Sequence, residues 1–153
     1  HLIISRSRST NWEAVGEAMR TYLPRLRRLE ILECSHAVGS IIPSLVGCVE
    51  LTELTIIVGF DLDASKLTEL EFRSIVDRLK GLTSLGVANN RLRAACLEDL
   101  SKGLPNLLAL NLGIGKTKQD HNPTISDSDI AIIVSKFPML RNLSVQNCRI
   151  SDI

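Results

Sequence analysis

Five segments of the chain repeat the same spacing of apolar residues. Each repeat has one reference leucine, and the five are Leu29, Leu54, Leu85, Leu110 and Leu143. They are separated by 25, 31, 25 and 33 residues, and a second apolar residue follows each of them two positions later. This alternation is typical of a short strand with one buried face. A unit of this length buries its apolar face only by stacking on its neighbours, so the repeat predicts a curved solenoid with parallel strands.

Apolar stripes with helical spacing precede the predicted strands. In four repeats the stripe has the spacing i, i+3, i+4 and i+7, which indicates a helix with one buried face. The stripes are Val15, Ala18, Met19, Tyr22; Ile42, Leu45, Val46, Val49; Phe72, Ile75, Val76, Leu79; and Ile130, Ile133, Val134, Phe137. The remaining repeat keeps three members, Leu97, Leu100 and Leu104. Each repeat is therefore predicted to join one helix to one strand.

Polar residues and glycines beside the stripes predict where the helices begin and end. Pairs with the spacing of a capping box start a helix. These pairs are Thr10 with Glu13, Thr68 with Glu71, and Ser126 with Asp129. Gly81 and Gly103 follow helical stripes and are predicted to be C-terminal caps.

The repeats extend over almost the whole sequence. Leu2 and Ile4 match the two buried strand positions of a partial repeat, 27 residues before Leu29. We therefore expect residues 1–153 to form one α/β domain of about five repeats plus the partial one, with strands on the concave face and helices on the convex face. Because no segment has the composition of a polar capping repeat, we expect a fragment of a longer array. The alternative is a small complete domain that covers its ends by self-association.

Two of the repeats show a pattern that resembles a known family. The spacing LxxLxLxxN/C appears as LTSLGVANN at residues 82–90 and as LRNLSVQNC at residues 140–148. These segments resemble leucine-rich repeat proteins, and the helical backs and variable repeat length resemble the ribonuclease-inhibitor-like and cysteine-containing subclasses. Those subclasses occur in F-box ubiquitin ligases and in the sensor tails of NOD-like immune receptors. The resemblance implies a protein-recognition role.

The family places Asn or Cys where the chain turns away from the strand. Cys34, Asn90 and Cys148 match this position, whereas Gly59 and Gly115 depart from it. In the family this side chain satisfies backbone groups at the turn, so the two glycine repeats need other partners there.

The strand residues that point away from the core form the candidate binding site. In solenoids the concave surface is the usual binding surface. The outward positions predict an apolar band with polar edges, a composition that suits a protein or peptide partner. The candidate residues are Leu32, Ile57, Val58, Ala88, Asn89, Asn111, Ile114, Gln146 and Asn147. The alternative is that other segments of a longer chain cover the band. Insertions at residues 59–66 and 116–126 lie on one rim and are candidate recognition loops.

Composition and spacing argue against other functional classes. The 18 basic and 17 acidic residues give a net charge of +1, which is too small an excess for a nucleic-acid partner. No apolar run approaches the roughly 20 residues of a membrane span. The segment GIGKT at residues 113–117 is not a phosphate loop, because Leu110 stands where that motif requires glycine. Asp61, Asp63, Asp120 and His121 lack the spacing of a closed metal site.

No nucleophile stands at a motif spacing from a base, so we expect no catalytic residues, no cofactor and no enzyme activity. The cysteines do not form the framework of a secreted protein, and unpaired cysteines favour the cytoplasm or nucleus. The sequence therefore predicts a protein-interaction module of a larger intracellular protein, either an innate immune sensor or a ubiquitin-ligase adaptor. The alternative is a structural segment of a larger scaffold with no ligand of its own.

Overall fold

The structure, a computed structural model, describes residues 1–5, 11–34, 41–45, 47–58, 67–87, 94–113 and 125–145. Strands and helices alternate along these residues. The strands are β1 (Leu2–Ser5), β2 (Arg28–Cys34), β3 (Glu53–Val58), β4 (Ser84–Gly86), β5 (Ala109–Asn111) and β6 (Asn142–Ser144). The helices are α1 (Trp12–Tyr22), α2 (Ile42–Leu45), α3 (Glu69–Arg78), α4 (Ala94–Gly103) and α5 (Asp127–Lys136).

The six strands form a single parallel sheet in the order of the sequence. The five reference leucines are direct register partners along this sheet. Leu2 of β1 continues the same row, because it pairs with Leu29. The single parallel sheet, with helices between its strands, confirms the α/β solenoid that the periodicity predicts.

A row of shared backbone carbonyls joins the repeats at the start of the strands. The carbonyl of Arg27 accepts hydrogen bonds from the N–H groups of Thr52 and Glu53, both at 2.9 Å. The carbonyls of Thr52, Thr83 and Leu108 each accept two such bonds from the next repeat. The Thr52 and Thr83 hydroxyls also donate to the carbonyl of the preceding repeat. These bonds satisfy the backbone where each strand begins and hold neighbouring strands in register.

The core lies between the sheet and the helices, and the inward leucines fill it. Leu29, Leu54, Leu85 and Leu110 are fully buried. The predicted faces of α3 and α4 are confirmed, since Phe72, Ile75, Val76 and Leu79 are buried, as are Leu97, Leu100 and Leu104.

Four residues assigned to the buried helix faces are in fact exposed: Ala18, Tyr22 by 78%, Val49 by 81% and Val134 by 69%. Tyr22 ends α1, which buries Trp12, Gly16 and Met19 instead. Val49 follows α2, which ends at Leu45. Val134 lies on the side of α5 that no other described helix covers. The stripes of α1, α2 and α5 are therefore only partly buried, whereas those of α3 and α4 are buried as predicted.

The helix ends agree in part with prediction. Glu71 accepts hydrogen bonds from the Thr68 backbone N–H at 2.7 Å and from its hydroxyl at 2.8 Å, and Thr68 caps the Glu71 N–H in return. Asp129 accepts from the N–H and hydroxyl of Ser126 in the same manner.

Helix α1 begins differently, because its N-cap is Asn11, whose side chain accepts from the Ala14 N–H, and not Thr10. The glycine caps are wrong too. The C-cap of α3 is Leu79, and none of the glycines in the described residues has a positive φ.

The concave face of the sheet as candidate functional site

Side chains that alternate with the buried leucines form rows across the sheet, because the strands pair in register. The row at the start of the strands contains Arg28, Glu53, Ser84, Ala109 and Asn142. The middle row contains Ile3, Glu30, Thr55, Gly86, Asn111 and Ser144. Beyond it, Ser5, Leu32 and Ile57 are register partners on β1, β2 and β3. The concave face therefore presents a regular grid of side chains on a hydrogen-bonded sheet.

Three of the predicted binding residues fall on described parts of this grid. Leu32 and Ile57 are neighbours on β2 and β3, and both are partly exposed. Asn111 ends β5, two strands further along, and its side-chain oxygen accepts a hydrogen bond from the Gly113 N–H at 3.0 Å. The structure thus brings the first two together and places the third in a separate part of the face.

The other six candidates stay predictions. Val58 is the last residue of β3, but its side chain is outside the described part of the chain. Ala88, Asn89, Ile114, Gln146 and Asn147 lie outside the described residues altogether, as do residues 59–66 and 116–124 of the two rim insertions.

Charged side chains on the first three strands pair with one another. Glu30 lies 2.9 Å from His1 Nε2 and 2.9 Å from Arg28 Nε. The Nη1 atom of Arg28 lies 3.4 Å from Glu53. These contacts form one cluster that joins the chain start to β3. Both carboxylates of this cluster therefore have basic partners on this half of the concave face.

A shallow groove runs across the other half of the concave face. It has a volume of about 410 Å³ and extends from β3 to β6. Its lining is formed by Thr55, Ser84, Leu85, Gly86, Ala109, Leu110, Asn111, Arg141, Asn142, Leu143 and Ser144. Small side chains create the depression: a β-carbon added at Gly86 would lie 3.2 Å from the Thr55 side chain. The groove therefore has small side chains at its base and hydroxyl and amide groups in its lining.

The alternation of each strand also predicts groove residues that the candidate set omits. The residue before each reference leucine faces the same way as the residue after it. This rule adds Ser84, Ala109 and Asn142 to the outward positions, and all three line the groove. Arg141 precedes β6 and had no such signal, because it lies in the turn before the strand.

The hydrogen bonds of Cys34, the last residue of β2, agree with the role expected for it. Its buried thiol donates to the carbonyl of Ile4 at 3.8 Å and to that of Leu32 at 3.5 Å. Glu33 has a φ of 53°, and the strand register shifts at this point. The cysteine thus bonds to backbone carbonyls of β1 and β2 at the last residue of β2, as the leucine-rich repeat resemblance implies. The equivalent Gly59, Asn90, Gly115 and Cys148 are outside the described residues.

The described cysteines, Cys34, Cys48 and Cys96, are buried, and none of the three is in a disulfide bond. Burial raises the pKa of the Cys48 thiol above its ordinary value, because desolvation disfavours the thiolate. A raised pKa makes a thiol a poor nucleophile near neutral pH.

The described residues contain no candidate metal site and no helix that could span a membrane. No group of three or more His, Cys, Asp or Glu residues in that part of the chain is arranged to hold a metal ion. Asp61, Asp63, Asp120 and His121 fall outside it. The helices in the same residues are all too short or too polar to cross a membrane.

Comparison with known proteins supports the fold. No protein-family profile matches the sequence, and no curated protein sequence matches it. Among solved structures, the chain is similar to the tropomodulin C-terminal domain of Caenorhabditis elegans, with 12% sequence identity and a TM-score of 0.57. The match covers 90% of this chain and 83% of that one. That domain has a leucine-rich-repeat-like fold, so the similarity confirms the fold class predicted from the repeats.

Proposed function

We propose that this chain is a protein-recognition module that binds a protein or peptide partner on its concave face, with the rim insertions as additional contacts. The observation that carries the proposal is the pair of adjacent apolar side chains, Leu32 and Ile57, on the outward side of β2 and β3. Apolar side chains on an exposed sheet face, beside a groove with polar groups, suit a protein interface. Solenoids with this architecture bind on the concave surface.

We further propose that the module belongs to a larger intracellular protein in the cytoplasm or nucleus, either an innate immune sensor or a ubiquitin-ligase adaptor, and that it has no enzyme activity. The support for this narrower assignment is the resemblance of the repeats to the subclasses found in those proteins. The buried cysteines of the described residues, which form no disulfide bond, agree with a reducing compartment.

The proposal is tested by affinity capture from a cell lysate with three baits: the unchanged chain, Leu32→Asp/Ile57→Asp, and Leu70→Asp as the control. Leu70 lies in the first turn of α3 and is 75% exposed, so it tests the loss of an exposed leucine from the convex side. Circular dichroism and thermal unfolding establish that each bait is folded. A milder pair, Leu32→Thr/Ile57→Thr, keeps strand propensity if the aspartates prevent folding.

We expect one or more proteins to bind the unchanged bait and the Leu70→Asp bait, and to be lost with the concave variant. Equal capture by all folded baits would contradict binding on the concave face. If no protein is captured specifically, the alternative of a scaffold segment without a ligand replaces the proposal. The identity of a captured protein would separate the adaptor role from the sensor role.

A further inference from the structure

The two halves of the concave face differ in charge. On β1 to β3, the carboxylates of Glu30 and Glu53 are paired with Arg28, and Glu30 also with His1. The groove across β3 to β6 has no acidic residue in its lining and one basic residue, Arg141. Arg141 is exposed and makes no ion pair with any residue in the described ranges. The groove is therefore the part of this face that attracts negative charge.

The backbone position of this cation is well defined. The Arg141 N–H donates to the Leu108 carbonyl at 2.8 Å, and the next N–H donates to the same carbonyl at 3.0 Å. Glu53 stands next to the groove, as the register partner of Ser84, but its carboxylate faces Arg28 at 3.4 Å. The backbone of Arg141 is thus fixed at one end of the groove, while the nearest acidic side chain on the sheet is paired with Arg28.

The dimensions of the groove suit a short extended segment. Four neighbouring strands at about 4.8 Å per strand span about 14 Å, and an extended chain rises about 3.3 Å per residue, so the groove accommodates about four residues. Gly86 and Ala109 leave room for a backbone at close range. Asn111, Asn142 and Ser144 supply amide and hydroxyl groups that hydrogen-bond with peptide N–H and carbonyl groups.

We propose that this groove binds an extended, acidic segment of the partner protein, with an Asp or Glu carboxylate on Arg141. The inference rests on the proposed function and adds the chemistry of the partner. A guanidinium binds a carboxylate with two parallel hydrogen bonds, which gives both strength and orientation. A nucleic acid fits less well, because a phosphate backbone requires several basic residues and the groove lining has one.

The test uses a phage-displayed library of random seven-residue peptides, panned on the full chain and on two variants. Arg141→Glu reverses the charge in the groove. Arg25→Glu makes the same change in total charge, but Arg25 lies in the segment between α1 and β2, outside the groove lining. The three proteins are first compared by circular dichroism. Selected peptides are then synthesised, and their Kd values are measured by fluorescence anisotropy.

We expect the unchanged chain and Arg25→Glu to select peptides enriched in Asp or Glu at one position. Arg141→Glu should bind these peptides about tenfold more weakly or worse, and its own selection should favour Lys or Arg at that position, because charge-assisted hydrogen bonds contribute about 1.5–3 kcal/mol. If Arg141→Glu does not fold, Arg141→Gln provides the same comparison without the reversed charge.

Three results would overturn the inference: no enriched peptide, enrichment without acidic residues, or acidic peptides that bind Arg141→Glu as well as the unchanged chain. These results leave the proposed function open to its own test. If Leu32→Asp/Ile57→Asp still abolishes capture of a protein, the concave face binds its partner through residues outside the groove. If that variant also has no effect, both proposals fail.

Discussion

Gly103 of α4 packs directly against Val76 of α3, and a β-carbon built at Gly103 would overlap the Val76 Cγ1 methyl group. Val76 is only 3% exposed as a result of this packing and of the core beneath it. The sheet spacing on the concave side is set by backbone hydrogen bonds, whereas the spacing on the convex side depends on such contacts between helices. The pair thus determines how closely two successive repeats approach on their outer side.

Substitution of Gly103 by Ala should destabilise the protein. Overpacking of this kind costs about 1–3 kcal/mol, which exceeds the gain of up to about 1 kcal/mol from better helix propensity. Gly81→Ala is the matched control, because its added β-carbon would lie 3.5 Å from the nearest atom, the Leu51 carbonyl oxygen. Urea unfolding should show a lower free energy of unfolding for Gly103→Ala and little change in it for Gly81→Ala. If Gly103→Ala/Val76→Ala loses less stability than the sum of the two single variants, the Gly103–Val76 contact causes the loss. A double variant whose loss equals that sum would refute this origin.

The strand register is tested at the reference leucines. Leu85→Ala removes a fully buried side chain from the middle of the sheet and should cost about 2–5 kcal/mol. Leu70→Ala removes the same atoms from an exposed position of α3 and should change stability by less than about 0.5 kcal/mol. Denaturant unfolding of both variants provides the comparison. Equal losses at the two positions would show that the assigned register is wrong.

Two valines occupy the same place in the helical stripes of different repeats. Val76 is the third member of its stripe in α3 and is 3% exposed, whereas Val134 is the third member in α5 and is 69% exposed. Val76→Ala should cost about 1.5–3 kcal/mol, and Val134→Ala should cost much less, because little of its surface leaves water. Thermal unfolding of the two variants measures this difference. A comparable loss from Val134→Ala would mean that α5 has a neighbour on that side in solution.

These two valines also show where inference from the sequence ends. Strand positions were predictable because the pairing in register places all reference leucines in one core, whichever repeat they belong to. Helical spacing shows which residues share a face of a helix. Whether a residue at the edge of that face is buried depends on the neighbouring helix. For Val76 the neighbouring helix is α4, whose Gly103 allows close packing. The spacing of the α3 stripe does not predict this contact.

In the candidate site, too, the sequence predicted what depends on one strand, but not what depends on contacts between strands. Alternation along the strands was sufficient to place Leu32 and Ile57 on the outward side. The pairing of Arg28 with both Glu30 and Glu53 depends on side-chain conformations across two strands, which no single-strand pattern encodes. The groove likewise results from small residues on different strands, and it becomes visible only when the repeats are stacked.

Cys48 should make stability depend on pH in the alkaline range. Burial raises the pKa of its thiol above the ordinary value of 9.0, so the folded protein holds this proton more tightly than the unfolded chain does. The associated stability is fully present below about pH 9 and is lost as the pH rises through the raised pKa. Urea unfolding between pH 7 and pH 10.5 should therefore show a smaller alkaline loss for Cys48→Ala than for the unchanged chain. Parallel pH profiles of the two proteins would contradict the assignment.

Binding of a partner to the concave face is tested most directly by site-specific photo-crosslinking. Benzoylphenylalanine is placed at Thr55, which lines the groove, or at Leu70 on the convex side, and each protein is irradiated in cell lysate. We expect a crosslinked partner from position 55 and none from position 70, with the position 55 product abolished by Leu32→Asp/Ile57→Asp. A partner crosslinked from position 70 but not from position 55 would contradict recognition by the concave face.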